Sequence, residues 1–107
     1  GFAAAERLLT LPDRPTAIFA GNDDMAVATV AAANKHGLQV PRDLSVVGFD
    51  DSPIARVIWP PLTTIRQPTM AMAAAAVDLL TGDGEPGPVC QLGFELVVRQ
   101  STGPLGD

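Results

Sequence analysis

Residues 44–51, Leu-Ser-Val-Val-Gly-Phe-Asp-Asp, restrict the possible folds of this chain more than any other stretch. Leu44 to Phe49 carries no charge and is rich in β-branched side chains, so it reads as a strand buried on both faces. It stops abruptly in two carboxylates, Asp50 and Asp51. In an open parallel α/β sheet, ligands sit beyond the carboxyl ends of the strands. Acids at such an end are therefore placed to hold a polar small molecule. Upstream, Thr16 to Ala20 repeats the design: an apolar run, then Gly21-Asn22-Asp23-Asp24. Two strands of one sheet would deliver Asn22 and Asp50 to one rim.

The segments between fit that sheet. Residues 2–11 read as the end of an amphipathic helix, with Phe2, Ala5, Leu8 and Leu9 on one face. Pro12-Asp13-Arg14-Pro15 stops it. Asn22 is placed as a helix N-cap, with Asp23 and Asp24 in the first turn, where carboxylates favour the helix dipole. That helix runs to about His36 and closes on Gly37. It is apolar nearly all round, from Met25 to Ala33, so more than one of its sides needs covering. Strand, helix and strand from Thr16 to Phe49 have the size of a βαβ unit. Beyond Asp51, Ser52 and Pro53 are expected to start a short helix. Leu62 to Gln67 is expected as a third strand and about Thr69 to Leu80 as an Ala-rich helix. Residues 89–100 read as strand-like, with Gly93 a bend.

Composition excludes several functions. The chain has 107 residues, 47% hydrophobic and 18% charged, with net charge −5. This is globular composition. Lys35 is the only lysine and the six arginines are scattered, so the chain lacks the clustered cations that grip phosphate backbones or acidic membranes. Cys90 is the single cysteine, which permits a reducing compartment. No window has the length of an uncharged membrane span. No metal-ligand cluster, phosphate loop or nucleophile-base order appears, so neither a metal, a cofactor nor a catalytic residue is expected. Asp50 and Asp51 are adjacent, and on extended backbone they would point apart rather than form an acid/base pair.

Read together, several stretches resemble the lactose-repressor/galactose-repressor family of bacterial transcription regulators. They are residues 15–20, Asn22-Asp23 with Met25-Ala26, Gly37-Leu38 with Val40-Pro41, residues 43–51, Pro60 to Ile65 with Gln67, and Leu96-Val97 with Arg99 and Ser101-Thr102. The resemblance covers nearly the whole chain, and its strength lies in the order of the pieces. Ala28 departs from it, standing where the family often has glycine. The family implies a parallel-sheet α/β/α sandwich of the type I periplasmic-binding-protein-like class, here a partial domain. Residues 1–67 would belong to the C-terminal subdomain of an effector-binding core, 68–90 would cross to the N-terminal subdomain, and 91–107 would return. The chain opens on Gly1-Phe2 without a methionine and is expected to be a fragment. The partners implied are a small-molecule effector, expected to be a carbohydrate, a second copy of the chain, and operator DNA held through an N-terminal headpiece. The compartment implied is the cytoplasm. A periplasmic sugar-binding protein of a transport system shares the core fold and is the alternative.

The same resemblance makes Asn22 and Asp50 ligand-binding, through hydrogen bonds to polar effectors. Asn22 can serve as cap and ligand together. The plain alternative for Asp50 is a loop carboxylate bonding the backbone from Ser52 onward. Asp51 is expected to be structural. Gln67 either reaches the cleft or marks a hinge. Met25, Val27 and Val30 of the apolar helix, with Ile54, Ile58 and Trp59, are expected to form a two-fold dimer face. His36 is read as surface, Cys90 as a packed small residue, and Met70 and Met72 as core or interface filler.

Overall fold

The computed structural model describes residues 1–68, 72–77 and 93–104. In chain order the elements are α1 (Phe2–Leu9), β1 (Ala17–Phe19), α2 (Asp23–Lys35), β2 (Ser45–Val47), α3 (Ile54–Val57), β3 (Thr64–Arg66) and β4 (Glu95–Val97). β1 and β2 are parallel, with Ala17 opposite Ser45, Ile18 opposite Val46 and Phe19 opposite Val47. The helix α2 lies between them in sequence, as the βαβ reading requires. Pairing continues on the far side of β2 through a parallel bridge from Val47 to Thr63. There β3 runs antiparallel to the returning β4, with Ile65 opposite Leu96.

α2 forms where its two end signals place it. The Asn22 backbone is extended and its Oδ1 accepts from the Met25 N–H at 2.8 Å. At the other end Gly37 takes φ +73°. Leu38 N donates to Ala33 O at 2.9 Å and Gly37 N to Asn34 O at 3.1 Å, the paired bonds that close a helix on a left-handed residue. Beside this end, Glu6 of α1 accepts from Lys35 Nζ at 3.0 Å and His36 Nε2 at 2.9 Å. His36 is exposed, as expected, but engaged.

The core is small-sided. Ala26, Ala32, Ala33 and Ala55 are fully buried with Leu44, Val46 and Leu62. Alanine lets α2 sit close to the sheet, and burying it costs no side-chain entropy. α2 covers its interior with Ala26, Val30 and Ala33, not with a face turned outward. Val30 is 2% exposed, which corrects its assignment to a dimer face: it packs inside its own chain. Met25 is exposed, and Val27, Ile54 and Ile58 are half-buried. Trp59, at 77% exposure, stands out beside the equally open Val57.

Burial of the strands is more one-sided than the apolar runs suggest. In β2 only Val46 is buried, with Ser45 and Val47 intermediate. In β1 Ala17 and Phe19 are exposed. Among the described residues β1 pairs with β2 alone, so its outer edge is open. The helix after Asp51 is short, as expected, but Ser52 does not cap it. Residues 72–77 are helical and, apart from Ala75, exposed. The rest of the helix expected over 69–80, Met70, Cys90, the crossover beyond residue 77 and the first part of the strand expected over 89–100 lie outside the described residues.

Candidate functional site

The site is built where β2 ends. Gly48 continues the strand line, with its N–H donating to Thr63 O at 2.9 Å. A Cβ at Gly48 would meet Asp23 Oδ1 at 2.3 Å and Leu62 Cδ2 at 2.8 Å, so only glycine passes here. Two turn-forming residues follow. Asp50 has φ 111° and Asp51 φ 56°. Neither is extended, which corrects the expectation that the two acids sit on extended backbone; here the left-handed turn separates them. Such a conformation costs a non-glycine residue energy, and aspartate tolerates it better than most. It persists because the surroundings hold it: Asp50 N donates to Ile65 O at 2.8 Å and Asp51 N to Thr64 Oγ1 at 3.3 Å.

The two carboxylates then meet opposite fates. The Asp51 side chain is buried, 1% exposed, and takes Arg99 Nη2 at 2.7 Å and Arg66 Nε at 2.9 Å. Arg99, itself only 15% exposed, also donates to Leu62 O at 2.9 Å. Arg56, at 3.5 Å and largely in solvent, adds little. Asp51 thus ties the chain leaving through β3 to the chain returning at Arg99, and its structural role is what the geometry displays. Asp50 is exposed, and its Oδ1 accepts from Gln67 Nε2. The backbone at Ser52 is bonded by a different acid, so Asp50 is not the loop carboxylate of the plain alternative.

That acid is Asp23, which the sequence places only in the first turn of α2. It is 2% exposed. Its Oδ2 accepts from Ser52 N at 2.6 Å and Ser52 Oγ at 2.9 Å, and its Oδ1 from Thr64 Oγ1 at 2.6 Å. This also explains why Ser52 is not a helix cap: its hydroxyl is turned to Asp23. A glycine within a β-branched run, at Gly48, is the sequence signal that marks a close approach at this point. Asp23 N in turn donates to Phe49 O at 3.1 Å. Asn22 and Asp50 flank that bond on either chain, so both lie on one rim. The cap uses only the Asn22 carbonyl oxygen, and its amide NH2 keeps its donors.

Gln67 belongs to a second feature. Together with Arg66, Pro68, Gly93, Phe94 and Glu95 it lines an open depression of about 280 Å³ between the outgoing and returning chain. The structure therefore brings Gln67 to Asp50 and also to the paired connections. Among the described residues no group of His, Cys, Asp and Glu could hold a metal, and no helix is long and apolar enough to cross a membrane.

Burial pushes the Asp51 carboxyl up, but hydrogen bonds from Arg99 and Arg66 outweigh it and hold the group below the ordinary aspartate range. A depressed folded-state value means that the stabilisation is complete above the unfolded value and is lost as pH falls through the folded one. Asp51→Asn is therefore expected to destabilise the protein at neutral pH and to flatten the acid side of its stability profile. Urea unfolding at a series of pH values below neutrality checks this; an acid limb as steep as that of the wild type would contradict it.

Residues 2–102 match the family described as periplasmic binding protein-like domain. The HTH-type transcriptional repressor PurR of Edwardsiella ictaluri is 40% identical over 113 residues, covering 100% of this chain and 33% of that protein. The ribose operon repressor of Escherichia coli is 48% identical over 80 residues, covering 75% of this chain and 24% of that protein. The chain thus spans about a quarter to a third of the length of these curated relatives. Among solved structures, the lac repressor dimer bound to operator and the anti-inducer ONPF matches with TM-score 0.85 at 35% identity, over 94% of this chain and 36% of that one. A LacI family transcriptional regulator from Lactobacillus casei with bound sucrose matches with TM-score 0.77 at 36% identity, over 94% of this chain and 39% of that one. The chain belongs to the periplasmic-binding-protein-like domain family, and within it matches part of the effector-binding core of LacI-family repressors.

Proposed function

We propose that this chain is the effector-binding and dimerisation portion of a bacterial transcriptional repressor that senses a small polar ligand, a sugar, in the cytoplasm. The observation that carries the reading is the Asp50 carboxylate. It is held exposed on a left-handed turn at the carboxyl end of β2, while its neighbour Asp51 is locked away by arginines. A turn maintained against its own cost, presenting a charged acceptor at a strand end, suits a ligand contact. Asn22 and Gln67 would add donors from either side. The function is binding without catalysis, and the relatives named above are regulators.

In this account residues 68–90 belong to a companion subdomain that closes the cleft, and DNA is held by a headpiece outside these residues. The depression lined by Gln67 and Gly93 would then lie beside the paired connections between subdomains. An effector with different affinity for two subdomain arrangements would shift their populations and so the spacing of two headpieces. Met25, Val27, Ile54, Ile58 and Trp59 would form the face between two copies, with Trp59 the most open of them.

Two measurements test this. Asp50→Asn keeps a side chain that tolerates the turn but removes the charge. A hydrogen bond to a charged group is worth roughly 1.5–3 kcal/mol, so sugar affinity should fall about ten- to a hundredfold. Calorimetric titration of the intact protein, beginning with ribose and sucrose, reads this; unchanged affinity in the folded variant would sink the ligand role. Trp59→Glu should shift the intact protein from dimer toward monomer in equilibrium sedimentation, and an unshifted dimer would remove Trp59 from the face.

A further inference from the structure

The turn that presents Asp50 is bracketed by a single residue. On its entering side, Asp23 N donates to Phe49 O at 3.1 Å. On its leaving side, the Asp23 carboxylate receives both the N–H and the hydroxyl of Ser52, at 2.6 and 2.9 Å. Between these anchors lie only Asp50 and Asp51, the two non-glycine residues with positive φ among the described residues. From below, the carboxylate also receives Thr64 Oγ1, and that same oxygen accepts the Asp51 N–H. Asp23 therefore meets the turn at its start, its end and, through one hydroxyl, its middle.

Two neighbouring residues are shaped to that carboxylate. Gly48 has no side chain where a Cβ would strike Oδ1 at 2.3 Å. Thr64 is fully buried, and its hydroxyl sits between Asp23 and the turn. No buried side-chain oxygen or nitrogen among the described residues lacks a hydrogen-bond partner. A carboxylate taken out of water is expensive unless several donors satisfy it. Three donors converge here, two of them from the residue that ends the turn. Asp23 itself makes no hydrogen bond to Asp50. Its action on Asp50 runs through the backbone.

We propose that Asp23 is the positioning residue of the site: by pinning Phe49, Ser52 and Thr64 it fixes the left-handed turn and so the direction of the Asp50 carboxylate. The functional meaning of this rests on Asp50 being a ligand contact, but its test does not. The Asp50 N–H is bonded to Ile65 O and the Val46 N–H to Ser101 O, and neither touches Asp23. Amide hydrogen exchange at those two positions, measured residue by residue on the intact protein, separates local positioning from general stability. Asp23→Asn preserves shape but sets an amide donor against donors. It should speed exchange at Asp50 about tenfold or more relative to Val46. Thr64→Val, which removes the hydroxyl without changing shape, should move the same ratio in the same direction. Leu44→Ala, a core variant away from the turn, should speed both amides together and leave the ratio near the wild-type value. A ratio unchanged in both Asp23→Asn and Thr64→Val would overturn the proposal. Normal sugar affinity in Asp50→Asn with the exchange ratio raised in Asp23→Asn would instead remove the ligand role and leave the positioning role standing.

Discussion

A carboxylate buried at the start of a helix must be hydrogen-bonded or it destabilises the protein by several kcal/mol. Asp23 meets that condition by drawing in Ser52 from the loop after β2 and Thr64 from β3. Three segments far apart in sequence, at residues 23, 52 and 64, are thereby joined at one point. Gly48 passes beneath it because nothing larger fits. The left-handed turn at Asp50 and Asp51, the exposure of one carboxylate and the burial of the other all follow from where those anchors hold the chain. The roles of three neighbouring acids are thus divided by surroundings: Asp23 organises, Asp51 ties, Asp50 presents.

The arginine system on Asp51 works on a larger scale. Arg66 leaves through β3, and Arg99 returns just after β4. A single buried carboxylate holds both, and the short, well-covered Arg99 contact carries more weight than the solvent-exposed pairs from Arg56 to Asp51 and from Arg66 to Glu95. The depression beside Gln67 and Gly93 opens immediately beyond this tie. Asp50 therefore lies between the segments that Asp23 anchors and the outgoing and returning chain that Asp51 ties together.

Much of this architecture is legible in the amino-acid sequence. The apolar runs ending at Ala20 and Phe49 specify parallel strands and the rim they share. Asn22 and Gly37 mark both ends of α2, because capping chemistry is local and carried by single residues. What sequence periodicity does not supply is the choice among three acids. Asp23 in a helix's first turn looks like a dipole partner, yet its bonds reach 29 and 41 residues away. Val30 misleads for a related reason. A helix apolar all round does not say which side meets its own sheet, and Val30 faces inward. Ser52 resembles a cap because its neighbour is proline, but a buried carboxylate is the stronger acceptor for its hydroxyl.

The most direct test is a double-mutant cycle between Asp23 and Thr64, read by denaturant unfolding. If the buried carboxylate and the Thr64 hydroxyl act as one unit, Asp23→Ala and Thr64→Val should be markedly non-additive. The expected coupling is at least about 1 kcal/mol, within the roughly 0.5–3 kcal/mol seen for residues that share a hydrogen-bond network. Additivity to within about 0.3–0.5 kcal/mol, the behaviour of independent sites, would contradict the account.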